Sequence, residues 1–153
     1  MSKRLSLMKY PQAIKPLLDF GAAMHECGLE RPLIELVLMR VSQMNGCAYC
    51  MDMHSKDARA AGETEQRLYV LPGWREASFY SERECAALDW AEAVTRLGEH
   101  GVADDVYDRA RASFSEEELM NLTLTVGLIN TWNRINIAFQ TPAGSYRPAK
   151  QAA

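Results

Sequence analysis

The stretch Pro32-Leu33-Ile34-Glu35-Leu36-Val37-Leu38-Met39-Arg40-Val41-Ser42-Gln43-Met44-Asn45-Gly46-Cys47-Ala48-Tyr49-Cys50-Met51-Asp52-Met53-His54 decides how this chain folds. Its first half is apolar on nearly every side of a helical wheel, which predicts a central helix from Leu33 to about Asn45, opened by Pro32. Asn45-Gly46 is a natural break. A third helix is then expected from near Cys47 to Gly62, with the C-x-x-C pair at its N-terminus.

Working outward, the punctuation marks further helices and no strand pattern. Pro11 opens a first helix whose stripe Ile14, Leu17, Leu18, Ala22 and Met24 stops at Gly28. Glu63-Thr64-Glu65 starts a short fourth helix that ends before Pro72-Gly73, and Trp74 to Tyr80 reads as a connecting loop. Ser81 with Glu84 has the form of a capping box, and Ala87, Leu88, Ala91, Val94 and Leu97 carry the stripe to Gly98. Ser115 with Glu118 repeats the signal for a last helix from Glu116 through Ile137, with a break expected near Gly127. A polar tail follows from Thr141. The expected fold class is all-α, a single compact domain over residues 1–153.

Composition narrows the function classes. The chain has 153 residues, of which 48% are hydrophobic and 24% charged, enough apolar material for one buried core. A net charge of -3 with scattered Lys and Arg gives no basic field, so no nucleic-acid partner is expected. Lys9, Pro11, Gln12 and Lys15 interrupt any apolar run behind Met1-Ser2-Lys3-Arg4, so no secretion signal is read there. No run approaches the roughly 18 apolar residues of a membrane span. The expected setting is soluble and cytoplasmic, where a C-x-x-C pair cycles between dithiol and disulfide or binds metal.

On a helix at about 100° per residue, Cys47, Cys50 and His54 fall within roughly 60° of one another. The amides and dipole of a helix N-terminus favour a thiolate at Cys47. His54, four residues beyond Cys50, favours Cys50 instead, as base or as ion partner. The two effects select different nucleophiles. Residues three apart on a helix have Cα atoms within the roughly 4.4–6.8 Å that a disulfide spans, so either sulfur can resolve a sulfenic acid on the other. Glu35, inside the most apolar helix, either orients and charges His54 or forms an ordinary i,i+4 pair with Arg31.

The order Glu35, Cys47-x-x-Cys50, His54, with eleven residues between the glutamate and the first cysteine, resembles the alkylhydroperoxidase (AhpD-like) core of the carboxymuconolactone decarboxylase superfamily. The match is strong over about residues 32–62, and Thr131-Trp132-Asn133-Arg134-Ile135 resembles the closing helix of small single-domain members. This resemblance implies an all-helical AhpD-like fold, association into homo-trimers or hexamers, and thiol peroxidase activity on hydrogen peroxide or organic hydroperoxides. It further implies that Cys50 attacks the peroxide, Cys47 resolves, His54 is the base and Glu35 supports His54. A dithiol or lipoyl-type donor would return the electrons; no cofactor and no metal is implied. One departure is Tyr49, where some members carry histidine, so the resemblance assigns no proton-relay role at that position.

Rival interpretations exist for several residues. Cys47, Cys50 and His54, with Glu35 or another residue, are enough ligands for a structural zinc, although such sites usually bring a second pair from another segment. Decarboxylation of a carboxylated muconolactone, a lyase reaction, has no need of two thiols. A non-enzymatic redox sensor would use the same disulfide to change subunit contacts. Cys27 and Cys85 read as buried small hydrophobes, and His25 and His100 as helix-end or solvated residues. Met39, Met44, Met51 and Met53 read as core filling. Tyr49, Tyr107 and Trp132 are candidates for a peroxide entrance, with core packing as their default role.

Overall fold

The computed structural model describes residues 4–148. Seven α-helices follow one another: α1 (Pro11–His25), α2 (Arg31–Asn45), α3 (Ala48–Ala60), α4 (Glu65–Val70), α5 (Glu82–Thr95), α6 (Asp104–Ser113) and α7 (Glu116–Phe139). Short 3-10 turns span Leu7–Lys9 and Leu71–Glu76. Among the described residues there is no strand, only one isolated bridge between Gly98 and Gly101. The all-α expectation holds.

Helix α2 is central because its apolar residues cover nearly its whole circumference. It packs against α3, α5 and α7. Leu33, Ile34, Val37, Leu38 and Val41 face one core with Ala87 and Ala91 of α5 and Leu122, Val126 and Ile129 of α7. Leu36 and Met39 face a second core with Ala58, Leu68, Leu71, Trp74 and Leu88. Each fully buried Leu or Ile contributes on the order of 1.5–3 kcal/mol relative to exposure, so α2 anchors both cores and fixes every residue it carries.

The capping signals act as expected. Ser81 accepts from the Glu84 amide while the Glu84 carboxylate accepts from the Ser81 amide, and Ser115 with Glu118 does the same. Gly46 adopts φ 71°, a left-handed conformation that ends α2 and turns the chain at once into α3. This tight turn brings Cys47 back beside α2.

Several boundaries differ from those expected. Helix α1 ends at His25 rather than at Gly28, which sits in the following turn with φ 88°. Helix α5 stops at Thr95, short of Gly98. Part of the Trp74–Tyr80 loop is ordered: the 3-10 turn runs to Glu76, and Trp74 is buried with its indole N–H donating to Glu92. Helix α7 continues unbroken through Gly127, since tertiary packing on both sides outweighs the roughly 1 kcal/mol propensity cost of one glycine. Helix α6 was not expected. Its N-cap is Ala103, so no capping side chain announces it, and a single residue, Ala110, is fully buried. The tail after Thr141 is not free of the core: residues 144–148 lie along α3, held by three side chains of that helix.

No helix among the described residues is long and apolar enough to cross a membrane.

Candidate active site

Cys47 is the N-cap of α3 rather than its first helical residue. Its φ/ψ of -82°/96° is extended, so the helical-wheel angle does not apply to it. The consequence is a closer contact than the wheel predicts. The Cys50 backbone N–H donates to Cys47 Sγ at 3.3 Å, which places the sulfur on the unpaired amides of the first turn. Both sulfurs are buried, each residue about 1% exposed, and neither is in a disulfide.

Helix α7 closes the sulfur pocket from the far side. Asn136 Nδ2 donates to Cys50 Sγ at 3.5 Å and to the Trp132 carbonyl at 3.0 Å. The Asn133 amide favours the thiolate of both cysteines. Asn133 is itself held: its Nδ2 donates to Ser42 Oγ at 3.1 Å, and its Oδ1 accepts from Asn45 Nδ2 at 2.9 Å. Asn45 also donates to Asn130. Ser42, Asn45, Asn130 and Asn133 thus form a polar seam between α2 and α7 that fixes the amides facing the sulfurs.

Electrostatics divide the two thiols. Cys47 is lowered from its ordinary value to about 7, chiefly because the Cys50 thiol donates to it; burial opposes, and the Cys50 amide, Asn133 and the charge of His54 add to the lowering. Cys50 is pushed up, first by that same hydrogen bond, then by burial and the repulsion of a Cys47 thiolate. Of the two thiols, Cys47 is the one that ionises first, and Cys50 the one that keeps its proton.

Glu35 and His54 meet across the α2–α3 packing. His54 Nδ1 lies 3.2 Å from Glu35 Oε2, with side chains 8% and 2% exposed. Of the two roles for Glu35, the pairing with His54 is the observed one. A carboxylate accepts only, so Nδ1 is the ring nitrogen that donates to Glu35, and the second ring nitrogen is Nε2. That Nε2 is buried and has no hydrogen-bond partner.

Behind the pair lies a cavity of about 280 Å³ lined by Glu35, His54, Met53, Asp57, His25, Arg31 and Tyr146. The Tyr146 hydroxyl donates to both oxygens of Asp57, at 2.8 and 3.0 Å. Burial, the Asp57 acceptor and its negative charge push Tyr146 up to about 12, so the phenol remains a donor. Lys56 donates to the Tyr146 carbonyl and Asp52 accepts from the Gly144 amide, which pins the tail over this cavity. Among the described residues, one group of three side chains has metal-ligand atoms within 4.8 Å of one another: Glu35, His54 and Asp57. No cysteine belongs to it.

The four residues expected at the site are therefore placed as two contacting pairs, Cys47 with Cys50 at the head of α3 and Glu35 of α2 with His54 in the middle of α3. Tyr49 and Trp132 are half-buried against the core that holds the cysteines, and Tyr107 packs its ring on Trp90 at 6.1 Å. Cys27 and Cys85 are half-buried rather than fully buried. His25 ends α1, exposed, and His100 is exposed in the Gly98–Gly101 turn. Asn133, Asn136, Asp57 and Tyr146 escaped sequence reasoning. For the asparagines a signal existed: Asn130, Asn133 and Asn136 recur every three residues and so share one stripe of the last helix.

The chain matches the model of the carboxymuconolactone decarboxylase family over residues 11–93, more than half its length. It is 44% identical over 146 residues to the uncharacterised protein YdfG of Bacillus subtilis, covering 95% of this chain and 99% of that one. A crystal structure from Agrobacterium tumefaciens superimposes with a TM-score of 0.90 at 39% identity, over 95% of this chain and 100% of that chain. That protein is described as of unknown function, with an antioxidant defence role of the AhpD type suggested for it. The debrominase Bmp8, bound to tribromopyrrole, shares the fold with a TM-score of 0.81 at 20% identity, over 91% of this chain and 74% of that chain. With the Glu35, Cys47, Cys50, His54 arrangement in place on this helical scaffold, the chain belongs to the carboxymuconolactone decarboxylase family as an AhpD-like member.

Proposed function

We propose that this protein is a thiol peroxidase that reduces hydrogen peroxide or small organic hydroperoxides through Cys47 and Cys50. The observation that carries the proposal is the buried pair of free thiols, with Cys47 Sγ capped by the Cys50 amide at the first turn of α3 and Cys50 Sγ faced by the Asn136 amide. Decarboxylation of a lactone would leave both sulfurs without a role.

Cys50 is the attacking sulfur in this scheme. His54 stands one turn beyond it with an unpartnered Nε2 as base, and the Asn136 amide favours the Cys50 thiolate. Cys50 gives up its proton and attacks the distal peroxide oxygen; the O–O bond breaks, the alcohol leaves with a proton, and Cys50 becomes a sulfenic acid. Cys47 then attacks the Cys50 sulfur, the S–O bond breaks, water leaves and the disulfide forms. Two thiols and one hydroperoxide give one disulfide, one alcohol and one water. A dithiol donor of the lipoyl type restores the pair by attacking Cys50, because Cys47, with its low pKa, is the better leaving thiolate. Glu35 holds the His54 tautomer and stabilises the imidazolium that forms. Association into trimers or hexamers and a cytoplasmic location are part of the same proposal.

The test is steady-state hydroperoxide consumption with dihydrolipoamide as donor. Cys50→Ser and Cys47→Ser are expected to abolish turnover, and His54→Ala and Glu35→Gln to slow it by about 10²-fold, the scale of general acid–base catalysis. Equal turnover in wild type and all four variants rules the proposal out.

A further inference from the structure

On the cavity side of the Glu35–His54 pair stands Asp57, a carboxylate that peroxide reduction does not use. Asp57 contributes a second carboxylate, its nearest oxygen within 4.8 Å of ligand atoms on both Glu35 and His54. Two carboxylates and one neutral imidazole supply two negative charges and mixed oxygen and nitrogen donors, which suit a divalent transition cation such as zinc. We propose that Glu35, His54 and Asp57 form a divalent-cation site opening on the 280 Å³ cavity, built without the cysteines.

The geometry supports this at three points. First, the 3.2 Å between His54 Nδ1 and Glu35 Oε2 is close to the edge of a zinc polyhedron: bonds of about 2.0–2.1 Å at a tetrahedral angle put two ligand atoms about 3.4 Å apart. A cation can take the place of the proton between them with little movement, and Asp57, half-buried on α3, closes by roughly an ångström or more. Second, the His54 side chain is more than nine-tenths buried and its Nε2 has no partner. Moving the ring proton from Nδ1 to Nε2 frees Nδ1 as a ligand and breaks no hydrogen bond at Nε2, so a chain holding the cation lacks the Nε2 base that the peroxidase scheme uses. Third, the Tyr146 hydroxyl donates to both Asp57 oxygens, the kind of outer contact that orients a ligating carboxylate. One Asp57 oxygen can turn to the metal while Tyr146 keeps the other.

The opposing charge is Arg31, which lines the same cavity. It is exposed, so solvent and salt screen it from the site. The remaining coordination positions face the cavity, where water completes the shell.

The site is distinct from a zinc held by Cys47, Cys50 and His54, and the two make opposite predictions about the sulfurs. The decisive experiment titrates zinc sulfate into full-length Cys47→Ser/Cys50→Ser protein, freed of metal by chelator and followed by calorimetry. One zinc per chain is expected to bind. Adding Asp57→Asn or, separately, Glu35→Gln to that background is expected to weaken binding at least about tenfold, with circular dichroism unchanged. Cobalt in the same serine background should give visible d–d bands without a thiolate charge-transfer band. Absence of saturable binding in the double serine protein overturns the proposal, as does affinity unchanged by both carboxamide substitutions. Because these readouts use protein without the thiol pair, they stand or fall independently of the peroxidase proposal.

Discussion

The bond from the Cys50 backbone amide to Cys47 Sγ, 3.3 Å long, adds to the larger effect of the Cys50 thiol in separating the chemistry of the two cysteines. It exists because Gly46 turns the chain and leaves Cys47 in an extended conformation at the head of α3. Cys47 takes the negative charge, and Cys50 keeps the proton.

The first expected outcome is a pH profile. Thiolate absorbance of the reduced protein should show one group titrating near pH 7, assigned to Cys47 by its loss in Cys47→Ser. The same variant should bring Cys50 down, since the hydrogen bond to Cys47 is the largest cause of its elevation. Because Cys47 is lowered, its thiolate fraction rises from acid to neutral pH, so the resolving step, Cys47 attack on the Cys50 sulfenic acid, should slow as pH drops below about 7.

Asn136 faces Cys50 from α7, with its amide already oriented by the Trp132 carbonyl. Asn136→Ala removes a donor to the reacting sulfur, a charge-assisted bond on the order of 1.5 kcal/mol, so turnover should fall about tenfold. Single-turnover sulfenic acid trapping should show that the loss lies in the attack and not in the reduction of the disulfide.

Asn133 is the hub of the seam between α2 and α7, fully buried and bonded to both Ser42 and Asn45. Asn133→Leu takes a donor from Ser42 Oγ and an acceptor from Asn45 Nδ2, leaving them only their bonds to the Leu38 carbonyl and to Asn130. Urea unfolding should show a loss of about 1–3 kcal/mol with an unchanged m-value, the cost of taking bonds away from these polar groups.

Tyr146 tests whether the tail lies over the cavity. Its phenol should titrate near pH 12, seen as the difference between the ultraviolet titrations of wild type and Tyr146→Phe. Asp57→Asn removes a negative charge and a hydrogen-bond acceptor that both disfavour phenolate, so the midpoint should fall toward the ordinary tyrosine value. A Tyr146 midpoint near 10 in the wild type would contradict the Asp57 contact.

What could be read from the sequence depended on separation along the chain. Cys47, Cys50 and His54 lie within eight residues, so periodicity and one glycine break grouped them, whereas Glu35, left by spacing between His54 and Arg31, joined them through the family resemblance. Asn136 meets Cys50 across 86 positions and Tyr146 meets Asp57 across 89, and nothing local fixes either approach. Capping boxes at Ser81 and Ser115 announced α5 and α7, whereas α6 begins behind Ala103 with no capping side chain. Gly127 looked like a break because propensity is local, and α7 runs through it because Leu122, Val126, Ile129 and Asn133 are buried on either side.

The central claim is that hydroperoxide drives Cys47 and Cys50 to a disulfide, with Cys50 attacking first. The most direct measurement is to add one equivalent of hydrogen peroxide to the fully reduced protein and map the product by mass spectrometry, in wild type and in each single serine variant. A Cys47–Cys50 disulfide in wild type, a trapped sulfenic acid on Cys50 in Cys47→Ser, and little oxidation of Cys47 in Cys50→Ser are the predicted results. A wild-type protein that keeps both thiols reduced, or that oxidises Cys27 or Cys85 instead, would contradict it.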